Sequence, residues 1–214
     1  MTVLPSSRSG PPGREQTQID RTRDLWQAAA GDEFDHNGPM TDDAITQARD
    51  LFLTEENEHG CAETTYIVLK RAFDLPDADD SSPAMALNGG VAYGGGVCGA
   101  ISGAALAVGQ LAGRRIPDHG EAKTAARELV MDLMDRFEAE FCSTTCRGLL
   151  GLDLRKPGEH DRFIESGVWR TSCMSQIEFA VEHFADLRSI AGWDAPTAPQ
   201  VRPDDVDNSG AEIS

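Results

Sequence analysis

Residues 89–103 decide how this chain folds, and they read Gly-Gly-Val-Ala-Tyr-Gly-Gly-Gly-Val-Cys-Gly-Ala-Ile-Ser-Gly. A glycine-rich run leads directly into Cys98 and then into a stretch of small residues. Glycine allows close approach of two backbones, and the first amides of a helix are unpaired donors. We therefore expect a helix over 97–111 that carries Cys98 in its first turn. Its small side chains predict a place at the centre of the fold.

Helical periodicity dominates the rest of the chain, and the alternation typical of strands is absent. Capping residues and glycines mark the ends of the expected helices. The prediction is an all-α protein, a compact bundle of six or seven helices. It forms a single domain over 19–191, between a disordered tail at 1–18 and a disordered acidic tail at 192–214. Six expected helices cover 19–30, a segment capped by Thr41, 61–73, 97–111, 119–141 and a last segment capped by Ser172. A further short helix at 158–166 would make seven, and 146–150 is expected as a short turn and 74–88 as a loop.

The chain is strongly acidic, with 36 acidic residues against 19 basic ones and a net charge of −17 over 214 residues. Such a charge argues against binding to nucleic acid and against docking on an anionic membrane. Residues 1–18 lack the apolar segment of a signal peptide, and the apolar stretch at 97–111 is too short to span a bilayer. We therefore expect a cytoplasmic protein.

Five cysteines in a cytoplasmic protein indicate metal binding or redox chemistry rather than disulfides. Four of them are predicted at helix starts, where the helix dipole and free amides favour a thiolate or a thiolate-bound metal centre. Amides that donate to sulfur also tune iron–sulfur clusters. We predict one shared site with the metal ligands Cys61, Cys98, Cys146 and Cys173. The backbone of Gly95, Gly96 and Gly99 is expected to contact the cofactor.

Three functions fit these residues. The first is an iron–sulfur cluster for electron transfer or redox sensing. The second is a metal-free thiol–disulfide oxidoreductase, in which Cys142 and Cys146 form the pair and Cys98 is a thiolate of low pKa. The third is a structural zinc site in an interaction module, although the chain lacks the short Cys-x-x-Cys pairs of zinc fingers.

No catalytic residue is assigned, because the chain has neither a phosphate-binding loop ending in Gly-Lys-Ser/Thr nor a nucleophile elbow. Activity as an oxidoreductase is therefore left open. The expected partner is a redox protein of unknown identity, and a homo-oligomer is compatible with the sequence. Cys142 is interpreted as a spare thiol beside the site.

The cysteine pattern resembles a small bacterial and archaeal family of redox-type proteins named for a C-GCAxxG-C-C arrangement. The resemblance covers about 43–190. It is carried by Cys61 before a helix, the segment Gly94–Gly103, the segment Ser143–Gly151, and Cys173 at the last helix. It implies that the four cysteines act together, with Cys142 as an addition in this chain. A related helical domain occurs in a multihaem cytochrome that also holds an iron–sulfur cluster, which implies cluster binding here.

Overall fold

The computed structural model describes residues 39–55 and 58–189, and these residues belong to one compact unit. The helix predicted at 19–30 and the two predicted tails lie outside the described residues. Within them the prediction of an all-α protein is confirmed. The only strand-like pairing in this part of the chain is an isolated bridge between Val97 and Thr145.

Seven α-helices, two 3₁₀ turns and one π-helical turn make up the described fold. The α-helices are α1 (Pro39–Phe52), α2 (Cys61–Ala72), α3 (Gly99–Arg115), α4 (His119–Phe141), α5 (Cys146–Leu150), α6 (Glu159–Glu165) and α7 (Met174–Phe184). Two 3₁₀ turns occupy Ser82–Leu87 and Ala185–Ser189, and a π-helical turn occupies Trp169–Cys173. No helix in the described part of the chain is both long and apolar enough to cross a bilayer.

Several helix ends follow from local side-chain chemistry. The Asp118 carboxylate accepts a hydrogen bond from the Glu121 amide at 2.9 Å and so caps α4. Thr145 caps α5 in the same way, by accepting from the Gly148 amide at 3.2 Å. Gly151 ends α5 in the left-handed conformation, with φ of 64°. Satisfying the free amides and carbonyls at helix ends is what makes these residues reliable markers.

Two predicted caps and one predicted loop are wrong in detail. Helix α1 begins at Pro39, and the Thr41 hydroxyl instead donates to Asp186 at 2.7 Å, which joins the first helix to the last turn. Ser172 does not begin the last helix, because the π-helical turn runs without a break into α7 and buries both Trp169 and Cys173. The expected loop at 74–88 contains the 3₁₀ turn Ser82–Leu87.

The centre of the fold is the contact between α2 and α3. Helix α2 is buried on all sides from Ala62 to Lys70, so the central position predicted for the small-residue helix is shared by two helices. At Gly103 an added Cβ would collide with the Ala62 carbonyl oxygen and lie 3.2 Å from the Ala62 Cα. At Gly99 an added Cβ would collide with the Cys61 Sγ. The two glycines therefore permit the approach that brings Cys61 next to the start of α3.

Replacing Gly103 by Ala should lower the free energy of unfolding by about 1–3 kcal/mol, because the new methyl group forces α2 and α3 apart. Gly109→Ala is the matched control on the same helix, since an added Cβ there meets nothing within 4 Å. The control should be neutral or stabilising by up to about 1 kcal/mol, because alanine favours helix. Urea unfolding followed by circular dichroism measures both. Equal effects of the two substitutions would contradict the close packing.

Candidate thiol site

Three of the four predicted cysteines lie at helix N-termini. Cys61 is the first residue of α2, Cys98 is the N-terminal cap residue of α3, and Cys146 is the first residue of α5. Cys173 differs, because it ends the π-helical turn and already has helical backbone angles. The predicted common geometry thus holds for three thiols, and the fourth reaches the site from the middle of a helical segment.

The glycine run forms a left-handed turn. All five residues from Gly89 to Tyr93 have positive φ, between 48° and 70°. Glycine adopts this conformation freely, but Val91, Ala92 and Tyr93 do so at a cost of about 1–2 kcal/mol each. The Val91 and Tyr93 side chains are largely exposed, so burial of these side chains does not account for the strained conformation. Strain of this kind is typical of functional sites.

Backbone hydrogen bonds tie this turn to two of the thiol-bearing helices. The Gly95 and Gly96 amides donate to the carbonyls of Gly89 and Gly90, each at 3.0 Å. The Gly96 carbonyl in turn accepts from the Cys146 amide at 2.7 Å, while the Cys98 amide donates to Thr144 at 2.8 Å. The amides of Gly95 and Gly96 therefore close the loop on itself, and their carbonyls accept hydrogen bonds from the first amides of α5. Their contact with a cofactor stays a prediction.

Gly99 has the more direct relation to a thiol. Burial raises the pKa of Cys61, and the nearby backbone amides of Gly89, Ala62, Cys61 itself and Gly99 oppose this rise. The left-handed turn supplies the first of these amides and the start of α3 supplies the last. The Cys61 Sγ thus lies in a pocket of amide donors, which is a favourable surrounding for a thiolate or a metal-bound sulfur.

The four thiols lie close enough to oppose one another's ionisation. Burial raises the pKa of Cys98, and the charges of Cys61 and Cys146 raise it further, against the amides of Ala100 and Ile101. Burial and Cys61 raise the pKa of Cys146 to about 11. The pKa of Cys173 is raised well above its usual value by burial and then by the other three thiols. The structure therefore gathers the four predicted cysteines into one electrostatically coupled group.

The expectation that a helix N-terminus makes Cys98 a thiolate of low pKa is wrong for this fold. Cys98 is only 3% exposed, and the cost of removing its charge from water exceeds the stabilisation from two amides. Burial is also the main cause of the raised pKa of Cys146 and of Cys173. Without a bound cation, these buried thiols are protonated at neutral pH.

A cavity of about 340 Å³ opens in front of the group. Cys61, Cys146 and Cys173 line it, and Cys98 lies behind Cys61 at the start of α3. The rest of the lining is mixed. Its apolar members are Phe52, Leu150, Leu154, Phe163, Ile164 and Trp169, and the others are Glu58, Gly60, Glu63, Asn88, Gly89, Tyr93 and His160.

The four sulfurs are not arranged around a single metal position. Among the described residues, no group of three or more His, Cys, Asp or Glu side chains has an arrangement that could hold a metal ion. The donor set itself fits a soft metal centre, because it offers four sulfurs and amide donors directed at one of them. The cavity is also large enough for a group of several atoms rather than one ion.

Two polar side chains that contact thiols are absent from the sequence-based prediction. The Asn88 side chain contacts the Cys61 Sγ at 3.9 Å, and the buried Gln176 accepts from the Cys98 thiol at 3.5 Å. Weak signals for both exist in the sequence. Asn88 stands directly before the Gly-Gly pair, and Gln176 follows Cys173 by three positions, which places both on one face of a helix.

Cys142 lies at the C-terminal end of α4, in the left-handed conformation with φ of 59°, and its side chain is exposed. Cys146, four residues later, is buried and lines the cavity. This placement separates Cys142 from the buried group of four. Its role as a spare thiol stays a prediction.

Fold and site together describe a helical protein with four neighbouring thiols, three of which line one cavity. The model of the family described as "Putative redox-active protein (C_GCAxxG_C_C)" matches residues 59–187, which is more than half of the chain. The chain therefore belongs to this family of redox-active proteins, as the cysteine pattern implied. No curated protein and no solved structure shows a significant match.

The raised thiol pKa values predict how stability depends on pH. A thiol whose native pKa lies above its unfolded value of about 8.5 stays protonated in the folded state while the unfolded state ionises. Stability is therefore complete below about pH 8.5 and falls as pH rises toward 11, by about 1.4 kcal/mol per pH unit for each such thiol. Urea unfolding of the reduced, metal-free protein at several pH values measures this slope.

Two variants identify the thiols responsible for the slope. Cys146→Ala removes one raised pKa and should flatten the dependence, whereas Cys142→Ser should leave it unchanged because that side chain is exposed. A stability that is constant or increases between pH 8.5 and 10.5 would contradict the burial of protonated thiols.

Proposed function

We propose that this protein is a redox protein that binds an iron–sulfur cluster through Cys61, Cys98, Cys146 and Cys173. The cluster would supply one-electron chemistry for electron transfer or for sensing of redox state. The observation that carries the proposal is the convergence of four separate helical segments, which places Cys61, Cys146 and Cys173 on one cavity and Cys98 directly before Gly99, the residue that lies against the Cys61 Sγ. Membership in a family described as redox-active supports it.

The electrostatics favour a bound cation over free thiols. Four neighbouring sulfurs cannot all ionise in a buried site, because each negative charge raises the pKa of the next thiol. Bound iron would relieve this repulsion and stabilise the thiolates. The amides around Cys61 would then donate to a ligating sulfur, which is a common way of tuning the potential of a cluster.

The same electrostatics count against a metal-free thiol–disulfide oxidoreductase. Exchange requires a thiolate, and the raised pKa values of Cys98, Cys146 and Cys173 leave little thiolate at neutral pH. The pair proposed for that chemistry would also combine exposed Cys142 with buried Cys146. A structural zinc ion is a weaker candidate, because one ion would need its sulfurs around a single point.

The partner and the location follow from the proposal. An electron-transfer protein needs a second redox protein as donor or acceptor, and the acidic composition favours a partner with a basic surface. We place the protein in the cytoplasm, where cysteines remain reduced and available for iron.

Anaerobic purification or reconstitution with iron and sulfide should give a brown protein that contains both elements. Replacing Cys61, Cys98, Cys146 or Cys173 singly by Ser should weaken iron binding by more than about tenfold, because each substitution removes a thiolate ligand. The measurements are the visible absorption spectrum and chemical analysis of iron and acid-labile sulfide.

Cys142→Ser is the matched control, and it should retain colour, iron and sulfide at the level of the unmodified protein. Protein that stays colourless after anaerobic reconstitution would overturn the proposal. Binding of zinc without sulfide would replace it with the structural zinc site. Loss of colour in the Cys142 variant alone would show that the ligand set is wrong.

A further inference from the structure

Asn88 occupies an unusual position between the left-handed turn and α2. Its side-chain Oδ1 accepts from the Ala62 amide at 2.9 Å and contacts the Cys61 Sγ at 3.9 Å. Its Nδ2 donates to a Glu63 carboxylate oxygen at 2.7 Å and to the Met85 carbonyl at 3.2 Å. Every hydrogen-bonding group of this side chain therefore has a partner, and together they fix the orientation of its amide.

The Glu63 carboxylate accepts the hydrogen bond that the Asn88 Nδ2 donates. This carboxylate is buried and accepts from three donors: the Gly60 amide at 3.0 Å, the Ser81 hydroxyl at 3.0 Å and the Asn88 Nδ2. Hydrogen bonds to a carboxylate are stronger than those between neutral groups. The carboxylate thus anchors Asn88 to the first turn of α2, the turn that carries Cys61.

The surrounding backbone is shaped to admit Asn88. An added Cβ on Gly60 would collide with the Asn88 side chain, so a residue other than glycine has no room there. The Asn88 carbonyl accepts from the Tyr93 amide at 3.2 Å and so closes the left-handed turn. Asn88 therefore joins the two segments that provide Cys61 and the Gly89 amide.

The geometry points to Asn88 as the positioning residue of the thiol site. With Glu63 as its anchor, it holds Cys61 and the Gly89 amide in one fixed relation, so that Cys61 faces the other three thiols. This inference deepens the proposed function, because a fixed Cys61 is what a cluster ligand requires. The contacts themselves belong to the metal-free protein and can be tested without a cluster.

Iodoacetamide labelling of the reduced, metal-free protein, with peptide mass spectrometry, measures the reactivity of each thiol separately. Asn88→Leu keeps the size of the side chain and adds no charge beside the sulfur, but it removes the acceptor for the Ala62 amide and both donors. We expect Cys61 to react about fivefold faster, the ratio that corresponds to the loss of one typical hydrogen bond. Cys98, Cys146 and Cys173 should change by less than about twofold, because none of them contacts Asn88.

A second variant tests the pairing itself. Glu63→Ala removes the acceptor for the Asn88 Nδ2 and leaves the Asn88 side chain itself unchanged. If the carboxylate anchors Asn88, the Cys61 rate should rise by a similar factor. Gln176→Leu is the control at a neighbouring thiol, since its amide contacts Cys98, and it should leave the Cys61 rate unchanged.

A Cys61 rate that is unchanged in Asn88→Leu would overturn the positioning role. So would equal acceleration of all four thiols of the group, which indicates general loosening of the fold, or a Cys61 rate that is unchanged in Glu63→Ala. These outcomes are independent of iron. A colourless protein in which Asn88→Leu selectively accelerates Cys61 would refute the cluster and support the positioning role.

Discussion

The close approach of α2 and α3 is the constraint on which the rest of the structure depends. Gly99 and Gly103 leave no Cβ on the face of α3 that meets α2, so Cys61 and Ala62 lie directly against its backbone. This contact sets Cys61 beside the first turn of α3, which carries Cys98. A larger residue at either glycine would separate the two helices and also the thiols that they carry. The geometry of the thiol site therefore depends directly on the packing of α2 against α3.

Around that contact, two opposing effects act on the sulfurs. Helix N-termini and the left-handed turn direct amides at Cys61 and Cys98, which favours the charged form. Burial and mutual repulsion favour the protonated form, and they prevail in the metal-free protein. A bound metal group would stabilise thiolates at such a site, because its positive charge offsets the repulsion between the sulfurs. The strained turn contributes the Gly89 amide to this surrounding of Cys61.

The ends of α4 and α5 could be predicted closely, because aspartate and threonine are common N-terminal caps and glycine commonly ends a helix; the structure gives these roles to Asp118, Thr145 and Gly151. The four cysteines were predicted as a group from their local contexts. The left-handed conformation of Val91, Ala92 and Tyr93 was not predictable, since such residues rarely adopt it and tertiary contacts impose it. The Asn88–Glu63 contact joins residues 25 positions apart and depends on the same turn. The sequence could not predict that burial outweighs the helix dipole in setting the thiol pKa values, because the degree of burial depends on the packing.

Iron K-edge X-ray absorption of the anaerobically reconstituted protein tests the central claim most directly, because it reports the atoms bound to the metal. The account predicts a first shell made only of sulfur, at about 2.3 Å as for other metal–thiolate bonds, and a second shell that contains iron. A first shell of nitrogen or oxygen without a neighbouring iron would contradict the claim that the four thiols form one cluster site.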